Sequence, residues 1–163
     1  MILDAPTADT PAAYAAAADE ILAEYVTDDG LDGLDVDMER SLTAAQVARV
    51  TGVFRALSEH LGPQSGTDRL FIYDMNQEGT HPLTAGIAPY VSYVLVQSYG
   101  RSVSGLQSTW ESYAPYFDAC QYLIGFSFYE ERGQDWGDTT EPFDASRAAR
   151  YADWQPTGAA KAG

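Results

Sequence analysis

The chain has 163 residues and a formal net charge of −15, from 24 acidic against 9 basic side chains. A surface that acidic repels phosphate backbones and anionic lipids over the screening length, which sets nucleic acid and membrane surfaces aside as partners. A hydrophobic share of 45%, with 3 Trp, 11 Tyr and 6 Phe, is more core-forming material than a disordered acidic tail carries, and the length suits one domain.

The single cysteine, Cys120, stands in the apolar-leaning run 117–128, where a buried thiol is expected, and it has no second cysteine to pair with. The opening Met-Ile-Leu-Asp-Ala-Pro lacks the basic and apolar regions of a secretory signal. No apolar run approaches the roughly 18 to 20 residues that cross a bilayer, so no membrane insertion is expected.

In chain order, the alanine-rich stretch 10–26 reads as a helix, with Pro11 at its first turn and Ile21, Leu22, Tyr25 and Val26 on one side. Asp28, Asp29 and Gly30 end it. The run 31–39 changes period: Leu34, Val36 and Met38 alternate with Asp35, Asp37 and Glu39, as on a strand. A second helix is expected over 43–61. Thr43 and Gln46 have capping-box spacing there, and Val47, Val50, Phe54, Leu57 and Leu61 recur every three or four residues. Gly62 and Pro63 stop it.

Leu70 to Tyr73 form a short apolar strand that ends in Asp74 and Asn76, followed by a Gly/Thr/His/Pro loop. The next strand is 91–99. Leu106, Trp110, Tyr113 and Phe117 share a helical face broken at Pro115, and an aromatic strand runs over 122–129 before a last helix at 145–154. Strands apolar on both faces and separated by helices indicate parallel βαβ units. Such folds place their chemistry beyond the carboxyl ends of the strands, which here carry Glu39, Asn76, Tyr99 and Glu130.

The acidic strand is the most informative segment. Asp35, Asp37 and Glu39 at two-residue intervals share one strand face about 6 to 7 Å apart. Carboxylates so close repel one another, which raises the pKa of at least one toward the range useful to a general acid. The plainer reading is a solvated face that keeps a sheet edge soluble. A calcium loop counted from Asp28 fails, because Gly30 replaces a ligand and Asp35 stands where an apolar residue belongs.

Asp32-Gly33-Leu34-Asp35-Val36-Asp37-Met38-Glu39 resembles, without a departure, the D-G-x-x-D-x-D-x-E signature of family 18 glycoside hydrolases. In that family the strand is the fourth of a (β/α)8 TIM barrel. The resemblance implies that Glu39 protonates the glycosidic oxygen and that Asp37 orients the substrate's 2-acetamido group, whose own oxygen is the nucleophile. This is a known exception to the two-carboxylate rule of retaining glycosidases. Val96-Gln97-Ser98-Tyr99 resembles the Q-x-Y of the endo-β-N-acetylglucosaminidase branch, where chitinases more often have Met at the position of Gln97. Tyr99 is thereby the expected donor that aligns the acetamide.

Asn76 and Glu130 are candidate contacts to sugar hydroxyls, Trp136 is a candidate stacking platform for a pyranose ring, and Asp35 and Gln97 are further candidate substrate-binding residues. His60 and His81 stand too isolated for a metal site, and no cofactor is expected. The partners implied are N-linked glycans or glycoproteins, and a secreted or cell-surface location for the full-length protein. A chitinase and a non-catalytic glycan-binding protein on the same fold are the alternatives. The resemblance runs from the helix before barrel strand four to the helix after strand seven. Residues 1–163 are therefore expected to be a partial catalytic domain truncated at both ends, or else a half-barrel that dimerises.

Overall fold

In a computed structural model the described residues are 2–76, 78–128 and 135–161. Four strands, β1 (Gly33–Asp37), β2 (Leu70–Met75), β3 (Tyr93–Gln97) and β4 (Tyr122–Gly125), form one sheet in chain order. The helices are α1 (Pro11–Leu22), α2 (Ala44–Leu57), the short α3 (Thr84–Ile87), α4 (Leu106–Tyr113) and α5 (Arg147–Asp153). A helix lies between each consecutive pair of strands, the crossover that parallel neighbours need. β3 and β4 are parallel, with Val94 against Tyr122 and Gln97 against Gly125. The expected alternation of strands and helices is therefore present, as four units of a partial (β/α) barrel.

The chain divides into two compact units, Met1–Tyr73 with His81–Tyr93, and Asp74–Thr80 with Val94–Gly163. In the first, the Thr10 hydroxyl caps α1 and the predicted Thr43–Gln46 box caps α2, with Thr43 N donating to Gln46 Oε1 at 2.9 Å. The two helices lie close because α2 presents Gly52 to the Tyr14 ring; a Cβ there would come within 2.4 Å of it. Asp9 and Arg49 add a 2.7 Å ion pair. The inner face of α2, Val50, Val53, Phe54 and Leu57, is buried, and Phe54 stacks on Phe71 of β2 at 4.8 Å between ring centroids.

The second unit is built on aromatic rings. Tyr122 at the start of β4 meets Trp110 edge-on at 5.1 Å and Tyr113 at 5.8 Å, both from α4. Tyr151 of α5 is buried, and its hydroxyl donates to the carbonyls of Ser98 and Arg101 at 2.7 and 2.6 Å, bracing the chain where it leaves β3.

Two expectations need correction. Cys120 is exposed rather than buried. It sits in the tight turn Ala119–Gln121 ahead of β4, where Ala119 and Tyr122 take the inward positions. β1, β3 and β4 are also shorter than the runs expected for them, ending at Asp37, Gln97 and Gly125, whereas β2 runs past Tyr73 to Met75. Glu39, Asn76 and Tyr99 thus belong to the loops beyond the strand ends.

Produced alone, residues 1–163 are expected to self-associate. β1 and β4 are the two edges of the sheet, and Leu31 and Leu70, near the starts of β1 and β2, are 50% and 40% exposed. Size-exclusion chromatography reads this directly. A monomer with one sharp unfolding transition would contradict it.

Candidate active site

In the first unit, the pleat of β1 buries Val36 and the following Met38 and leaves Asp35 and Asp37 on the opposite face. A cavity of about 280 Å³ is lined by both carboxylates together with Ile2, Tyr25 and Arg40. Asp35 is an exposed residue, yet its carboxyl is pushed up to about 6, first by lost hydration and second by the neighbouring Asp37 charge. Water still reaches part of the residue and screens the pair. The like-charge repulsion expected from the spacing is present, and it falls on Asp35.

Glu39 is half-buried in the loop after β1. His81 secures that loop. Its Nδ1 accepts from Leu83 N at 3.3 Å, so the ring proton lies on Nε2, which donates to the Arg40 carbonyl at 3.2 Å. A histidine too isolated to bind metal thus ties down the residue next to Glu39. Tyr73, fully buried in β2, is the other neighbour that sequence reading missed. Burial pushes its hydroxyl well above the usual phenol range, nearby Thr84 offsets part of the rise, and the Asp37 charge adds to it.

Asp35→Asn in the whole protein is expected to change stability with a definite sign. A carboxyl raised from 3.8 to about 6 binds its proton more tightly folded than unfolded, so stability is greatest below this window and falls as pH rises through it. The amide removes that dependence. The variant should gain Tm relative to wild type above pH 6 and lose the advantage near pH 4. Parallel Tm profiles for the two proteins would refute it.

In the second unit, Gln97 ends β3, and Tyr99 lies two residues on, half-buried. Gln97 Nε2 donates to Asp74 Oδ2 of β2 at 3.2 Å. Arg101 donates a hydrogen bond to the Asn76 carbonyl, holding that loop by its backbone. Trp136 is half-buried against the same turn, its ring 6.3 Å from that of Tyr99. Gly100, at φ +67°, permits this approach, because a Cβ would lie 2.7 Å from the indole.

Buried Asp138 ties the turn together, accepting from Gly100 N at 3.1 Å, Ser127 N at 3.1 Å and Arg147 at 2.6 Å. The structure therefore brings Asp35 and Asp37 together, and separately Tyr99 and Trp136, with Gln97 two residues before Tyr99 and hydrogen-bonded to Asp74. Glu130 lies outside the described residues. Among the described residues no three His, Cys, Asp or Glu side chains converge as metal ligands would, and no helix is long and apolar enough to cross a membrane.

Over residues 1–163 the chain matches the family model of the endo-β-N-acetylglucosaminidase EndoS TIM-barrel domain. It is 40% identical over 154 residues to endo-β-N-acetylglucosaminidase F2 of Elizabethkingia meningoseptica, covering 92% of this chain and 46% of that protein. The apo structure of a Cordyceps militaris endo-β-N-acetylglucosaminidase superposes with a TM-score of 0.92 at 54% identity, over 99% of this chain and 55% of that one. A variant of the same enzyme superposes with a TM-score of 0.93 at 53% identity, again over 99% of this chain and 55% of that one. That variant has an Asp changed to Asn and a Glu two residues later changed to Gln, and was solved with fucosyl-N-acetylglucosamine-Asn. The chain spans about half the length of these relatives.

Proposed function

We propose, because this chain belongs to the endo-β-N-acetylglucosaminidase EndoS TIM-barrel family, that the whole protein hydrolyses the β-1,4 bond in the N,N′-diacetylchitobiose core of N-linked glycans. In this reading residues 1–163 form about strands four to seven of the barrel. The observation that carries it is the carboxylate pair Asp37 and Glu39 at the carboxyl end of β1. It has the spacing of the Asp and Glu replaced in the Cordyceps militaris variant bound to fucosyl-N-acetylglucosamine-Asn.

The chemistry follows from the groups. Glu39 gives a proton to the glycosidic oxygen as the C1–O bond breaks, and the acetamide oxygen of the same sugar closes on C1 to form an oxazolinium ring. Asp37 stabilises the positive charge at the ring nitrogen, and Tyr99 donates a hydrogen bond that holds the acetamide in line. Asp35, whose pKa lies near 6, can hold a proton beside Asp37 and so relieve the repulsion between them. Water, deprotonated by Glu39, then opens the ring from the opposite face, so the anomeric configuration is retained. Asn76, Gln97 and Trp136 contact the flanking sugars, and the enzyme meets its glycoprotein substrates outside the cell that makes it.

Incubating the whole enzyme with an N-glycosylated protein and, separately, with chitin oligomers tests this. Mass spectrometry should show a single N-acetylglucosamine, with any core fucose, left on each asparagine. Cleavage of chitin alone would select the chitinase reading, and binding without cleavage would select a glycan-binding protein. Tyr99→Phe should slow glycoprotein hydrolysis by roughly a hundredfold, the usual effect of losing one oriented donor.

A further inference from the structure

Gln97 has an amide whose two ends are nearly the same size and opposite in hydrogen-bonding sense: the nitrogen donates and the oxygen accepts. Turned one way it offers a substrate an acceptor, and turned the other way a donor. The residue alone does not determine which, but its neighbour does. Asp74, in β2 and only 9% exposed, takes the Gln97 Nε2 donor on Oδ2 at 3.2 Å. An ionised carboxylate accepts and never donates, so with Asp74 ionised only the nitrogen end of Gln97 can face it.

We propose that Asp74 is a positioning residue that fixes the amide of Gln97 so that its carbonyl oxygen, and not its nitrogen, is presented to the sugar. Gln97 is then an acceptor for a hydroxyl or N–H of the glycan. Both ends of the contact are well held. Arg101 bonds to the Asn76 carbonyl just beyond β2, and Ser98 N donates to the Gly125 carbonyl at 3.0 Å just beyond Gln97. The inference rests on the glycosidase reading for what the acceptor serves, but the pairing itself stands apart from that reading.

A charge exchange across the pair tests it in the whole enzyme. Asp74→Asn releases the amide to adopt either sense and should lower kcat/KM for glycoprotein about tenfold. Gln97→Glu places two carboxylates against each other and should cost more, roughly a hundredfold, with a lower Tm. The double variant Asp74→Asn/Gln97→Glu restores one donor facing one acceptor and leaves an oxygen toward the sugar. It should regain about tenfold in kcat/KM and most of the Tm lost by Gln97→Glu. A double variant that regains neither, or whose losses are the product of the two single ones, overturns the proposal. Recovery of Tm without recovery of activity overturns the acceptor role. If the wild-type enzyme cleaves no glycan, the glycosidase reading fails, and the Tm comparison alone decides whether Asp74 orients Gln97.

Discussion

On the proposed function, Glu39→Gln in the whole protein is expected to suppress glycan hydrolysis by roughly a hundredfold to ten-thousandfold, the range that a positioned general acid contributes. Asp37→Asn should also suppress it, yet the two variants should part when supplied with a preformed sugar oxazoline. In the proposed mechanism Glu39 donates the proton to the departing sugar and later removes one from the incoming water or acceptor, so its loss should harm both halves of the reaction. Asp37 is assigned there a part mainly while the ring forms, a step that a ready-made oxazoline bypasses. Asp37→Asn should therefore transfer glycan from oxazoline to an N-acetylglucosamine-bearing acceptor while hydrolysing the product slowly. Chromatography of the transfer product over time separates the cases. Equal inactivity of both variants toward oxazoline would sink the division of roles, and unimpaired hydrolysis by Glu39→Gln would sink the enzyme class.

The acidic strand was legible because a two-residue period survives in the sequence: Leu34, Val36 and Met38 against Asp35 and Asp37 leave one arrangement in which the apolar set is covered. The helix starts at Thr10 and Thr43 were legible for a similar reason, since a cap is local chemistry. What stayed hidden depends on residues far apart in the chain. Asp74 reads as the polar end of an apolar run until it is found against Gln97, 23 residues on. His81 reads as an isolated imidazole until its partner, the Arg40 carbonyl 41 residues back, is seen. The short turns Thr84–Ile87 and Ala88–Tyr90 carry too few residues to show a period. Cys120 was misread because an apolar run says which segment is buried on average, whereas a single turn decides which of its residues point outward.

Asp138 is the least legible of these residues, an acid in a Gly/Asp/Thr stretch with the composition of a solvated loop, and its removal should be among the most destabilising single changes in this segment. Its side chain is 0% exposed and accepts from Gly100 N, Ser127 N and Arg147, while Arg147 also donates to the Trp136 carbonyl at 2.7 Å. Three pieces of chain therefore meet on one carboxylate: the turn after β3, the exit of β4 and the first turn of α5. Asp138→Ala leaves two backbone donors and a half-buried guanidinium without their acceptor. Breaking a buried, hydrogen-bonded ion pair from one side typically costs about 3 to 5 kcal/mol. Asp138→Asn keeps the volume but turns an N–H toward one of the donors, and should lose less. Because Gly100 follows Tyr99 and packs under Trp136, the alanine variant should also lose glycan hydrolysis beyond what its unfolded fraction explains. Denaturant unfolding of the whole enzyme, with activity measured where each variant is still folded, separates the two effects. An Asp138→Ala enzyme with an unchanged midpoint and full activity would show that Asp138 does not hold this turn.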